Sequence, residues 1–163
     1  MTSASWPSGP WAKAPPARST ARPWRPGLFD AGERRRLAQA RKAKRDHLAK
    51  LNAAMGADAV GSDDFEFDLP KTAFSTHDKA VAFGMSLEEL LVGVYLNGAA
   101  YSADEGTRLL LARLLTVDGQ ILGSLRAMAG KPVAAGLPIP MATEEAGAAL
   151  DKLVTVPGSP GGR

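Results

Sequence analysis

The sequence contains no cysteine. That absence excludes disulfides, thiolate nucleophiles and Cys-ligated zinc or iron–sulfur centres. It suits a reducing compartment, and the chain is expected to be cytoplasmic. Histidine is scarce as well: His47 and His77 are the only two, and neither has an orienting partner close by in sequence. No P-loop, G-x-G-x-x-G, G-x-S-x-G or H-E-x-x-H pattern is present. Catalysis needs convergent titratable groups, so the expectation is a non-enzyme with no cofactor and no metal. No run of about 18 apolar residues occurs, so no membrane span is expected. The N-terminus has no apolar stretch of the kind a secretory signal carries. Aromatic residues make up 6% of a chain that is 45% hydrophobic, much of it alanine, and such a composition packs helices more readily than sheets.

What is present is unevenly charged. Residues 1–50 hold 12 Lys and Arg against 3 Asp and Glu, while residues 51–163 hold 8 against 14. A basic arm of net +9 thus precedes a body of net −6. Two readings follow: the arm binds polyanions such as nucleic acid, or it folds onto an acidic body, its own or a neighbour's.

Residues 1–29 are rich in Pro, Trp and Arg. Prolines at this density forbid a helix or a central strand, so a disordered arm is predicted. Trp6, Trp11 and Trp24 within it are candidates for burial in a protein partner. A basic helix is predicted over 30–56. Asp30 and Glu33 have the spacing of a capping box, and Gly56 offers a stop. Leu37, Ala40, Leu48, Leu51 and Met55 trace a thin apolar stripe there, which Lys44 interrupts. Residues 57–64 read as a linker. Phe65-Glu66-Phe67-Asp68-Leu69 alternates with period two and predicts a short strand ended by Pro70. Asp63, Asp64, Glu66 and Asp68 are spaced too evenly to converge on a cation and read as an acidic edge.

Residues 65–130 are the predicted core domain. Ser75 is a candidate cap for a first helix through Phe83, Gly84-Met85-Ser86 predicts a break, and Ser86 with Glu89 forms a capping box for a helix from Leu87 to Leu96. Asn97-Gly98 is a predicted stop. Ser102 and Glu105 make another capping box and open a long helix to Met128. Leu90, Leu91, Val94, Leu110, Leu114, Val117, Ile121 and Leu125 lie on apolar faces wide enough for a core or a dimer interface. A homodimer is the expectation, because this apolar area is large for so few helices. Residues 131–154 combine a Pro-rich segment with a short helix from Thr143, and 155–163 read as a disordered tail. The fold class expected is therefore mostly α, a small helical domain with one short N-terminal strand and a long C-terminal helix, preceded by a disordered basic arm.

The segment Phe65 to Asn97 resembles the ribbon-helix-helix family of DNA-binding dimers. The resemblance rests on the alternating Phe65-Glu66-Phe67-Asp68-Leu69-Pro70, on Ala80 four residues before Gly84-Met85-Ser86, and on Leu90, Leu91, Val94 and Tyr95 after it. It implies a strand paired across a two-fold axis and helices forming the dimer core. Glu66 and Asp68 fall where the family reads bases, and two carboxylates are repelled by DNA, so phosphate contact falls to the basic helix. Arg34, Arg35, Arg36, Arg41, Lys42, Lys44, Arg45 and Lys50 are its candidates for sequence-indifferent, salt-dependent nucleic-acid binding. The function expected is a non-enzymatic DNA-associated accessory protein. The alternative is an adaptor or structural assembly protein whose Trp/Pro/Arg arm docks on a protein partner.

Overall fold

The computed structural model describes residues 27–59, 69–134, 136 and 138–153. Within them four helices follow one another: α1 (Ala31–Met55), α2 (His77–Tyr101), α3 (Glu105–Met128) and α4 (Thr143–Leu153). The start of α1 is set locally. The Asp30 side chain accepts from the Glu33 amide at 2.8 Å, and the Glu33 carboxylate accepts from the Asp30 amide at 2.9 Å. Two amides that the first turn leaves without partners are thereby satisfied. The same amide bond holds the Asp30 carboxyl below its ordinary range. Gly56 ends α1 at φ 59°, a backbone region that a side chain disfavours.

α2 is where local sequence misleads. Gly84-Met85-Ser86 is not a break: the helix runs unbroken from His77 to Tyr101. A Cβ on Gly84 would stand 3.4 Å from Leu125 of α3, so the glycine marks a close helix–helix approach inside a helix that packing sustains. Ser86 does not cap a helix, since its hydroxyl donates to the Ala82 carbonyl one turn back. Asn97-Gly98 is no stop either, because Gly98 lies against the Leu111 side chain of α3. The caps also shift: Thr76 rather than Ser75 opens α2, and Asp104 rather than Ser102 opens α3, accepting from the Thr107 amide at 2.6 Å.

No strand occurs among the described residues. Of the predicted strand, residues 65–68 lie outside them and Leu69 is not in a strand. The ribbon-helix-helix arrangement fails on its helices in any case, since one helix stands where that motif needs two. The predicted arm up to residue 26 and the tail from 154 also fall outside the described residues.

Side-chain pairings give the topology. Glu33 meets His77 and Lys44 meets Glu88, each pair 44 residues apart, so α1 and α2 run parallel. Glu89 with Arg126, and Gly84 with Leu125, place α3 antiparallel to α2. α4 returns along α2, where the Met141 amide donates to the Gly93 carbonyl. Two parallel neighbours need a long crossover, here from Met55 to His77, as in bundles with one crossover connection. α2 is apolar around most of its circumference, as suits a helix covered on several sides. By length and composition alone it could also cross a membrane, yet 44% of that stretch is buried against the other helices. Phe29, Ala80, Val81, Met85, Val92, Leu122 and Leu125 form the central cluster. Full burial of a side chain such as Val81 or Leu114 stabilises by about 1.5–3 kcal/mol each.

Candidate functional site

One polar cluster sits inside this apolar core, and three helices supply it. α1 contributes Lys44 and His47, three residues apart and therefore on one face. α2 contributes Glu88, and α3 contributes Asp118. The Lys44 ammonium donates to Glu88 Oε2 at 2.6 Å and stands 2.8 Å from Asp118 Oδ2. His47 Nδ1 stands 3.2 Å from Asp118 Oδ1. Asp118 is wholly buried and His47 is 5% exposed. The approaches of Lys44 and His47 to Asp118 have the distance of ion pairs but not the direction of hydrogen bonds, so both Asp118 oxygens and His47 Nδ1 are left without a hydrogen-bond partner. Buried groups of this kind are rare and costly.

The electrostatics follow from that enclosure. Burial pushes the Glu88 carboxyl up; Lys44 opposes the shift and the neighbouring Asp118 charge adds to it. Burial pushes the His47 pKa down, opposed by Asp118 and reinforced by Lys44. Burial, with Asp118 and Glu88 behind it, pushes the Tyr95 phenol up to about 12. With His47 neutral and both carboxylates ionised, one ammonium faces two negative charges.

A second histidine site lies toward the N-terminal end of α1. His77 Nε2 meets Glu33 Oε1 at 2.9 Å, its Nδ1 meets Asp78 at 3.0 Å, and its ring packs 5.2 Å from that of Phe29. The bonds to Asp78 and then Glu33 hold its pKa above the ordinary histidine value. Both histidines thus have orienting carboxylates, which sequence proximity alone did not reveal.

The residues expected to bind nucleic acid separate. Lys44 is turned into the core. Arg34 donates to the Phe29 carbonyl at 2.8 Å, and Lys42 pairs with Asp46 at 3.5 Å. Arg35, Arg36, Arg41, Arg45 and Lys50 are exposed along α1. Of the apolar residues expected in a core or dimer face, Leu90, Leu114 and Leu125 are buried, while Leu91, Val94, Leu110, Val117 and Ile121 are half-buried within this one chain. Trp6, Trp11 and Trp24 lie outside the described residues. The residues that sequence reasoning undervalued are Lys44, Glu88 and Asp118. Their shared signal is a charged side chain at an apolar-stripe position on each of three helices.

Comparison with known proteins overturns the DNA-binding expectation. No match was found among curated proteins or among solved structures. A family model described as a ferritin-like domain matches residues 13–131. That family is a helical bundle, not a ribbon-helix-helix dimer, and it supports neither the DNA-associated accessory role nor the adaptor alternative. The match spans most of the sequence and agrees with the helical bundle and its crossover: the chain belongs to the ferritin-like domain family.

Proposed function

We propose that this chain is a non-enzymatic ferritin-like bundle, one whose core is held by internal charge pairing in place of a metal centre. Metal-bearing ferritin-like bundles hold two ions with a Glu from each of two helices and a Glu-x-x-His pair from each of the other two. The residues here do not fit that group. The core cluster offers two carboxylates and one imidazole, and the Lys44 ammonium sits between the carboxylates within 2.8 Å of both. A divalent ion would meet that positive charge at contact distance, where repulsion is strongest. Among the described residues, no three His, Asp or Glu side chains are grouped to hold a metal ion. The position of Lys44 carries the reading. The cluster's work on this view is to fasten α1 onto the α2–α3 pair.

The test is direct. The full chain is purified without chelator, its metal content is measured, and it is mixed with Fe(II) in air while Fe(III) absorbance is followed. The expected result is no stoichiometric metal and oxidation at the rate of buffer alone. Bound metal, or accelerated oxidation that His47→Ala abolishes, would overturn the proposal.

A further inference from the structure

α1 carries Lys44-x-x-His47, which has the i, i+3 spacing of a Glu-x-x-His metal-binding pair with lysine in the carboxylate's place. Glu88 and Asp118 complete the surround from α2 and α3 at the same level of the bundle. We infer that Lys44 is a resident cation in a latent metal site, and that Lys44→Glu converts the cluster of position 44, His47, Glu88 and Asp118 into a site for one divalent transition-metal ion. The inference rests on the metal-free reading above and deepens it.

Three observations support the exchange. The first is reach. Glutamate is one bond shorter than lysine, and a carboxylate–metal bond adds about 2 Å. An ion held by a glutamate at this position therefore falls near the place of Nζ, already 2.6 Å from Glu88 Oε2 and 2.8 Å from Asp118 Oδ2. The second is charge. One ammonium with two carboxylates leaves a single negative charge, and one divalent ion with three carboxylates leaves the same. The enclosure that tolerates the first arrangement thus has no electrostatic reason to refuse the second. The third is directional. Both Asp118 oxygens and His47 Nδ1 are buried without hydrogen-bond partners, so they bring free lone pairs to the centre. The 3.2 Å between His47 Nδ1 and Asp118 Oδ1 is the separation of two ligands that share a metal at bond lengths of about 2.0–2.2 Å. A mixed imidazole and carboxylate set suits ions such as Co(II), Zn(II) or Fe(II) rather than Ca(II).

The experiment uses the full chain with Co(II) as probe, because its visible absorption bands report ligand geometry. Wild type, Lys44→Glu, Lys44→Gln and the double variant Lys44→Glu/His47→Ala are loaded, desalted and assayed for retained cobalt, absorption and melting temperature with and without the ion. Lys44→Glu is expected to retain one ion per chain and to melt higher with cobalt than without it. The double variant loses retention, and wild type shows neither effect. A folded Lys44→Glu that retains no cobalt overturns the inference and leaves the metal-free reading of wild type standing. Cobalt retained by wild type through His47 overturns both. Should Lys44→Glu stay unfolded with and without cobalt, Lys44→Gln, which adds no negative charge, is read in its place. Its failure to retain the ion overturns the inference, and retention that His47→Ala removes upholds it.

Discussion

Replacing Lys44 with methionine tests the core cluster most directly. Methionine keeps much of the stem and removes the charge, so Glu88 and Asp118 lose their shared partner while remaining enclosed. Removing one partner of a buried pair costs about 3–5 kcal/mol. Protonation sets a ceiling on that cost, because each stranded carboxyl can escape ionisation by taking up a proton. Holding a carboxyl neutral costs about 1.36 kcal/mol for each pH unit above its unfolded value near 4. The ceiling per acid is therefore about 5 kcal/mol at roughly pH 8 and only about 1–1.5 kcal/mol at roughly pH 5. In the variant the folded-state pKa values of both acids rise above their unfolded values, so the folded state binds the extra protons. Stability is then fullest below about pH 4 and is lost as pH rises through the folded pKa values. At the lower pH a protonated His47 can also pair with Asp118, which shrinks the loss further. The expected destabilisation is thus about 3–5 kcal/mol near pH 8, falling to roughly half or less near pH 5. Urea unfolding followed by far-UV circular dichroism at the two pH values measures it. A loss below about 1 kcal/mol at both, with no trend, refutes the idea that Lys44 compensates these acids.

Four further outcomes are expected. Gly84→Ala should stabilise by about 0.5–1 kcal/mol, because the Cβ meets Leu125 at an ordinary 3.4 Å and the helix gains propensity; a loss in thermal melting would restore the break. Gly93→Ala should cost about 1–3 kcal/mol, since its Cβ would come within 2.9 Å of Met141 Cβ and 3.1 Å of the Ile139 carbonyl, and faster hydrogen exchange over 139–153 would report it. His77→Gln should erase a pH-dependent increment: the raised folded pKa contributes stability below about pH 6.5 that fades as pH climbs through the folded value, so wild type and variant unfolding energies should converge at alkaline pH. Leu114→Ala, at a site 2% exposed, should cost about 2–5 kcal/mol by denaturant unfolding.

How much of this was legible depends on whether the signal is local. The α1 cap is written in Asp30 and Glu33, three residues apart, and the reading matched the structure because nothing distant competes with it. Gly84, Asn97 and Gly98 carry local break signals too, but there the tertiary environment wins: α3 covers the glycines, and the helix continues beneath it. Ser102 and Glu105 had the right spacing for a cap, yet Asp104 takes the role two residues later. The mostly helical class survived these errors, because each confuses helix with helix end. The family did not survive, since an alternating pentapeptide and one misread break sufficed to suggest a different architecture. The core cluster was hardest to see. Lys44 registered only as a flaw in an apolar stripe, Asp118 only as an interruption that argued against a membrane helix, and His47 as unpartnered. Their meeting depends on the bundle's register across 44 and more residues, which no spacing within one helix encodes.

The parallel alignment of α1 with α2 bears on how the molecule assembles and opens. α2 and α3 are joined through residues 102–104 and find each other by a short loop, whereas α1 reaches its partners only after the long crossover closes. Loop-closure entropy grows with that length, so the hairpin is the natural early folding unit and α1 the late arrival. The same order run backwards makes α1 the first element to lift away, in openings that need only a fraction of the global unfolding energy. Each such excursion would strip Asp118 and Glu88 of their ammonium and wet them at once. The buried acids would thus exchange protons with solvent at the tempo of one helix leaving and returning.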